Sequence, residues 1–410
     1  MRIWLISKYA SSSLYGYPTR QFFFAKTFAE QFDCDVTLIS SRSLGFTTSP
    51  DFGWKNSHRY RDGNLKGVVL NGPKIKGGMN LLRMYSWMVF ELRLLIWAYK
   101  NRKQKPDVII VSSLSLFTFL TGSYLKQKFK CKFVTEVRDI WPLTVQQMLG
   151  LKRSHFAVGV MSFVEKKGYK SADLIVGTMA NLKAHVANVA PKATMKVRYI
   201  PTGFYTEYFN SLKDETSFEE YFNRVNPNCY FTVAYVGTIG VVNKVDEILN
   251  AATLLKDENI IFIILGNGPE KERLMQYASE MTLNKVYFHE AIPRGQVQAF
   301  LRHCDLNLNP WADNPVYQFG VSPNKWIDYM YSEKPIIVSL NGYRNIINEA
   351  GCGIFIKAAD TVALANSILQ FKNMPVNERL EMGKRGREYL LKNLTYEILA
   401  RKYLQYISEA

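Results

Sequence analysis

Strand-like and helix-like segments alternate along the whole chain, and the pattern runs through twice. Apolar runs bounded by turn residues read as buried strands at 3–7, 36–40, 108–112, 133–137 and 174–176, with helical stretches at 19–32 and 155–170 among them. Tyr199-Ile-Pro-Thr-Gly203 then reads as a short strand and turn, a hinge. The pattern restarts with strands at 231–236, 260–265, 286–289, 306–309, 336–338 and 354–356, and with helices at 245–257, about 361–371 and 377–408. Such alternation favours parallel sheets covered by helices on both faces, with ligands beyond the carboxyl ends of the strands. The expectation is an α/β chain of two doubly wound, Rossmann-like domains facing a cleft. Their bounds are 1–203 and 204–392, with a last helix at about 393–410 packing back on the first.

Charge is divided unevenly between the halves. Residues 1–200 hold 31 Lys+Arg against 11 Asp+Glu, a balance of +20, and residues 201–410 hold 21 against 24, a balance of −3. A negatively charged partner for the first half is implied, which leaves nucleic acid, an anionic membrane surface and a phosphorylated substrate open. The five cysteines (Cys34, Cys131, Cys229, Cys304, Cys352) have no metal-ligand spacing and read as reduced thiols of a cytosolic protein. No apolar run reaches the ~18 residues of a membrane span. Residues 81–99 come nearest, rich in Leu, Trp, Met and Tyr but interrupted by Arg83, Glu91 and Arg93. Lys74 and Lys76 precede this segment, and Lys100, Arg102, Lys103 and Lys105 follow it. The composition suits a helix lying on a bilayer, its basic neighbours on anionic lipid, so an anionic membrane surface met through 74–105 is expected. A long core-facing helix is the other reading.

Chemistry concentrates in three places. At 319–338 a glycine turn, a capped helix and a strand follow one another, with Ser322 as the expected N-cap and Pro323 at the first helical position. Lys325 in the first turn conflicts with the positive end of the helix dipole, and a bound anion would resolve that conflict. Asp328 stands among apparent core residues. Gly237-Thr-Ile-Gly-Val-Val-Asn-Lys244 is a second turn at which backbone and lysine could meet a phosphate, although it is neither a P-loop nor a dinucleotide fingerprint. In the first half, Glu136, Arg138 and Asp139 end a strand, and Gly16 and Arg20 belong to the loop after the first one. No histidine joins a metal or triad pattern.

As an ordered set, these motifs resemble the family 4 glycosyltransferases, retaining enzymes of the GT-B fold. The resemblance is closest to bacterial members that build O-antigen, capsule and related surface polysaccharides, in the subgroup carrying Ser-Pro-Asn-Lys. It rests on Val137-Arg-Asp-Ile-Trp-Pro142, Tyr199-Ile-Pro-Thr-Gly203, Gly237-Thr-Ile-Gly240, Leu265-Gly-Asn-Gly-Pro269 and the stretch from Gly320 to Met330. It implies that the second domain binds a nucleotide-sugar donor and the first an acceptor. Donor contacts are implied for Gly237, Thr238, Gly240, Lys244, Gly320, Ser322, Asn324, Lys325 and Asp328, with Lys244 on the diphosphate and Asp328 on the ribose. Thr238 replaces the family's arginine, and Gly320 stands where its first acid belongs. Asp139 occupies the place of a residue that faces the donor sugar, and it is implied to be catalytic together with Lys244. Gly16, Arg20 and Arg138 are candidates for acceptor contacts.

The expected activity is therefore a retaining, metal-independent transfer with no cofactor. It moves a hexose or N-acetylhexosamine, or a deoxy relative, from a UDP-sugar to a polyprenyl-diphosphate-linked glycan. The expected location is cytoplasmic, peripheral on the inner face of a bacterial membrane, with no nucleic acid as partner. Two alternatives stay open: a nucleotide-sugar epimerase on the same fold, and a basic nucleic-acid-binding protein.

Overall fold

The computed structural model describes residues 1–42, 48, 50–52, 55–73, 81–113, 115–211 and 217–410. The chain divides into two compact units, Met1–Gly203 with Tyr396–Ala410, and Phe204–Thr395.

In the first unit, eight strands form one sheet in the order β3-β4-β2-β1-β5-β6-β7-β8. They are β1 (Arg2–Ile6), β2 (Asp35–Ser41), β3 (Ser57–Asp62), β4 (Leu65–Leu70), β5 (Val108–Ser112), β6 (Lys132–Val137), β7 (Leu174–Gly177) and β8 (Val197–Tyr199). β5 is wholly buried and the other central strands nearly so, as expected where helices cover both faces. Strand order reverses between β1 and β5, so the edge carrying Ser7, Lys8, Ser113 and Ser115 is the ligand-prone one.

The hairpin of β3 and β4 departs from the expected all-parallel pattern, since the two strands pair antiparallel across a turn with Gly63 at φ +61°. β3 reads Ser-His-Arg-Tyr-Arg-Asp and is an edge strand without a buried residue, so it carried no apolar signal. The expected helix over 377–408 is two helices, Val376–Asn393 and Tyr396–Glu409, and the second belongs to the first unit. There Tyr396 packs on Phe23 and Phe24, and Tyr403 on Phe24 and Phe28.

Arg20, a candidate for acceptor contact, has its side chain engaged inside the unit. Its side chain is 3% exposed and pairs with Glu136 at 3.2 Å. The other guanidinium nitrogens donate to the carbonyls of Ile200, at 2.8 Å, and Pro201. All three of its nitrogens are engaged inside the unit, where they tie the helix Arg20–Gln31 to β6 and to the segment after β8.

The second unit holds six parallel strands: β9 (Phe231–Val236), β10 (Ile260–Leu265), β11 (Val286–His289), β12 (Leu306–Pro310), β13 (Ile336–Ser339) and β14 (Gly353–Ile356). Their order, β11-β10-β9-β12-β13-β14, is the 3-2-1-4-5-6 order of dinucleotide-binding folds. The order reverses between β9 and β12, and the Gly237 turn leaves β9 at that point.

Removing one partner of a buried ion pair leaves the other uncompensated. Arg20→Ala is therefore expected to lower unfolding stability by about 3 kcal/mol in urea titration. A loss below about 0.5 kcal/mol, the range of surface substitutions, would contradict the buried tie.

Candidate functional site: the carboxyl edge of the second sheet

Two glycine turns pack back to back beyond β9 and β10. Gly237 N–H donates to the Leu265 carbonyl at 3.0 Å, and Ile239 N–H to Asn267 at 3.0 Å. A Cβ on Gly266 would lie 1.9 Å from the Gly237 oxygen, and one on Gly268 would lie 2.1 Å from the Ile239 oxygen. Gly237 and Gly266 adopt φ of +150° and +146°, a region open in practice to glycine alone. The Leu265–Pro269 motif is thus a backing plate that fixes the 237–240 turn.

Lys325 lies beneath this turn. Its Nζ donates to the Tyr235 hydroxyl at 3.0 Å and to Asn243 Oδ1 at 3.1 Å, and stands 4.4 Å from the centre of the Tyr235 ring. Tyr235 in turn donates to the Thr238 carbonyl at 2.7 Å. A Cβ on Gly237 would come within 3.2 Å of the Lys325 nitrogen, so glycine there also makes room for the cation. No carboxylate pairs with Lys325 among the described residues. Burial alone pulls its pKa from 10.5 down to about 7.

Pro323, not Ser322, takes the cap position of the helix Asn324–Tyr331, and no side chain caps it. Asp328 follows Lys325 by three residues, so both side chains fall on one face of that helix. Its Oδ1 is buried and accepts no hydrogen bond among the described residues. The nearest cation, Arg294 Nη2, is 3.6 Å away, outside hydrogen-bond reach. Burial raises the Asp328 pKa and Arg294 opposes the rise. Lys244 adopts a left-handed conformation (φ 39°, ψ 46°) and pairs with Asp246 at 2.7 Å. Gly320 is buried at φ +101°, Asn324 is exposed, and Ser322 lies between them. The Gly237, Gly240, Lys325 and Thr238 positions thus come together in this unit.

Sequence reasoning missed the residues that hold this group: Tyr235, Asn243, Asp246 and Arg294. Asn243 and Asp246 flank Lys244 and could have been suspected as its neighbours. Tyr235 sits in an apolar strand and Arg294 opens a single 3-10 turn without a motif, and neither carries a signal.

In the first unit, Arg138 and Asp139 stand at the carboxyl end of β6, and the Arg138 N–H donates to Ser113 Oγ at 2.9 Å. Burial raises the Asp139 carboxyl pKa while Arg138 lowers it. The Gly16 N–H closes a turn on the Ser12 carbonyl at 3.0 Å. Among the described residues no three of His, Cys, Asp and Glu come together as metal ligands.

Residues 217–389 match the family model of glycosyl transferases group 1. The chain is 21% identical over 331 residues to WbjE of Pseudomonas aeruginosa, described as a probable glycosyltransferase, covering 80% of this chain and 77% of that one. It is 23% identical over 314 residues to WcaI of Escherichia coli K12, described as a "putative colanic acid biosynthesis glycosyl transferase", covering 74% of each. Among solved structures it is similar to sucrose-phosphate synthase of Thermosynechococcus elongatus, with a TM-score of 0.75, 16% identity, and 100% of this chain and 98% of that one covered. The Anabaena protein HepE in complex with UDP is also similar, with a TM-score of 0.68, 13% identity and all of both chains covered. The fold is GT-B, and the matches support a glycosyltransferase.

Lys325 also yields a pH dependence. Between pH of about 7 and 10.5 the unfolded chain binds a proton at this lysine that the folded chain has released, so stability rises with pH across that window. At and below the lower end, the cost of burying the cation is greatest. Lys325→Met is expected to melt above the wild type at neutral pH, the gap closing toward pH ~10. A variant that melts lower at neutral pH would contradict the assignment.

Proposed function

We propose that the chain is a retaining glycosyltransferase of bacterial surface-polysaccharide synthesis, with its nucleoside-diphosphate-sugar donor, a UDP-sugar, on the second unit. The observation that carries this reading is a pair of incompletely satisfied groups on the Asn324–Tyr331 helix: Lys325 has no carboxylate partner among the described residues, and Asp328 meets only Arg294, at 3.6 Å. A desolvated lysine is held by dipoles alone, and a buried carboxylate oxygen three residues on lacks a donor. A diphosphate meets the first need and ribose hydroxyls meet the second. The amides of Thr238 and Gly240 and those of the helix start add donors for the phosphates, while Lys244 exchanges Asp246 for the ligand. HepE, a relative in fold, is known in complex with UDP.

In the proposed reaction the bond from the anomeric carbon to the phosphate oxygen breaks and the bond to the acceptor oxygen forms on the same face. The leaving phosphate takes the acceptor's proton. Lys325, Lys244 and the turn amides stabilise the negative charge that develops on the diphosphate. Asp139 holds a sugar hydroxyl, and Arg138 and the Gly16 loop serve the acceptor. The transferred sugar is a hexose or N-acetylhexosamine, and the acceptor is a lipid-linked glycan.

The first unit supports an acceptor at a membrane. On the helix Leu81–Lys100, Met84, Met88, Leu92 and Ile96 form a stripe, each between 44% and 68% exposed. Glu91 is turned inward, accepting from Ser115, Thr118 and Thr121. Lys100, Arg102, Lys103 and Lys105 are exposed at its end, whereas Lys74 and Lys76 lie outside the described residues. No helix among the described residues is long and apolar enough to cross a membrane. A peripheral position on the inner face of the cell membrane fits this stripe. Neither the epimerase nor the nucleic-acid reading gains an observation.

A thermal-shift titration with UDP tests the donor reading. UDP is expected to raise the wild-type melting temperature, and Lys244→Ala and Asp328→Ala are expected to lose most of the rise. Equal stabilisation of all three proteins would place the nucleotide elsewhere. Asp139→Asn should keep the UDP shift and lose about a hundredfold in transfer rate.

A further inference from the structure

We propose that a cleft in the first unit holds the hydrocarbon chain of a phosphate-bearing lipid. The inference rests on the lipid-linked acceptor proposed above and assigns its tail a place. The cleft, of about 440 Å³, falls within the size range of small-molecule sites. Met84 and Trp87 line it from the helix Leu81–Lys100, Val145 and Leu149 from the helix Leu143–Leu149, and Phe156 and Val160 from the helix Phe156–Ser171. All of its lining residues are apolar. The one indole N–H among them, on Trp87, is turned away to the Tyr9 hydroxyl at 2.7 Å.

The rim is uncovered. Phe156 is 85% exposed, Leu149 49% and Met84 46%, a contiguous apolar patch of the kind that marks an interaction site. Met84 also belongs to the exposed stripe of its helix, so the cleft opens onto the face proposed to meet the membrane. The charges around it complement an anionic amphiphile. Lys152 and Arg153 are exposed in the loop between two of the lining helices, within the half of the chain that carries the +20 balance.

The inner wall leads to a cation. Trp87 stands edge-on to Trp141 at 5.5 Å, next to Arg138 and Asp139 at the end of β6. The Trp87–Tyr9 hydrogen bond brings the wall beside Lys8, which is 3% exposed and sits 5.5 Å from the Phe90 ring. The Lys8 ammonium makes no hydrogen bond among the described residues, and the nearby Glu91 carboxylate is already occupied by three hydroxyls. An apolar tail in the cleft would set its phosphate at the carboxyl edge of the sheet, toward Lys8 and Arg138.

The test is calorimetric titration of the full chain with farnesyl phosphate, isopentenyl phosphate and inorganic phosphate. Farnesyl phosphate is expected to bind at least about tenfold tighter than isopentenyl phosphate, a gap of ~1.4 kcal/mol. Ala157→Phe, which fills the cleft, and Leu149→Asp, which charges its exposed mouth, should each abolish that advantage while melting as the wild type does. Equal affinity for the two prenyl phosphates would overturn the proposal, as would an undiminished advantage in both variants. The UDP shift measured on the same samples separates the two readings. Its loss with chain preference intact sinks the donor assignment and upholds the cleft, and the converse sinks the cleft alone.

Discussion

A lysine without a counter-charge, half-buried under a glycine turn, is the interaction on which the second unit's edge depends. Lys325 is stabilised by one hydroxyl, one amide oxygen and the face of an aromatic ring, while the dipole of its own helix opposes it. Dipoles of this kind recover only part of the cost of removing a cation from water. The geometry around it serves to keep it there. Gly237 leaves the room, Tyr235 fixes the turn from below, and the glycines at 266 and 268 let the neighbouring turn press against it. A fold that carries such an uncompensated charge at the carboxyl edge of a parallel sheet is organised for an anion.

The first unit solves a different problem. Its buried charges are mostly satisfied: Arg20 by Glu136 and two carbonyls, Glu91 by three hydroxyls, Glu165 by His185 and Tyr169. Besides Lys8, what it leaves unmet is apolar surface, along the Leu81–Lys100 helix and around the rim of the cleft beside it. The proposed donor chemistry and the proposed lipid contact therefore fall on separate units, each with its own sheet and its own strand-order reversal.

Much of this was legible in the chain. Strands such as Val108–Ser112, Phe231–Val236 and Ile260–Leu265 are short apolar runs between turn signals, and buried parallel strands have no other pattern. The β3–β4 hairpin was not legible, because an edge strand with charged residues and no buried face looks like a loop. At the site, Lys325 stood out by conflicting with its own helix. Its partners Tyr235 and Asn243 lie 90 and 82 residues away, and nothing local marks them. Arg20 is the opposite case. A basic residue after the first strand suggested a ligand, yet its partners Glu136, Ile200 and Pro201 come from distant segments that only the folded sheet brings together.

If the donor diphosphate completes Lys325, binding must restore the proton that burial removed. Titrating UDP into the protein near pH ~8, in two buffers of different ionisation enthalpy, measures that directly, since free Lys325 is then largely neutral. Net proton uptake is expected on binding by the wild type, and little or none by Lys325→Met. Binding without uptake, or uptake undiminished in Lys325→Met, would contradict it.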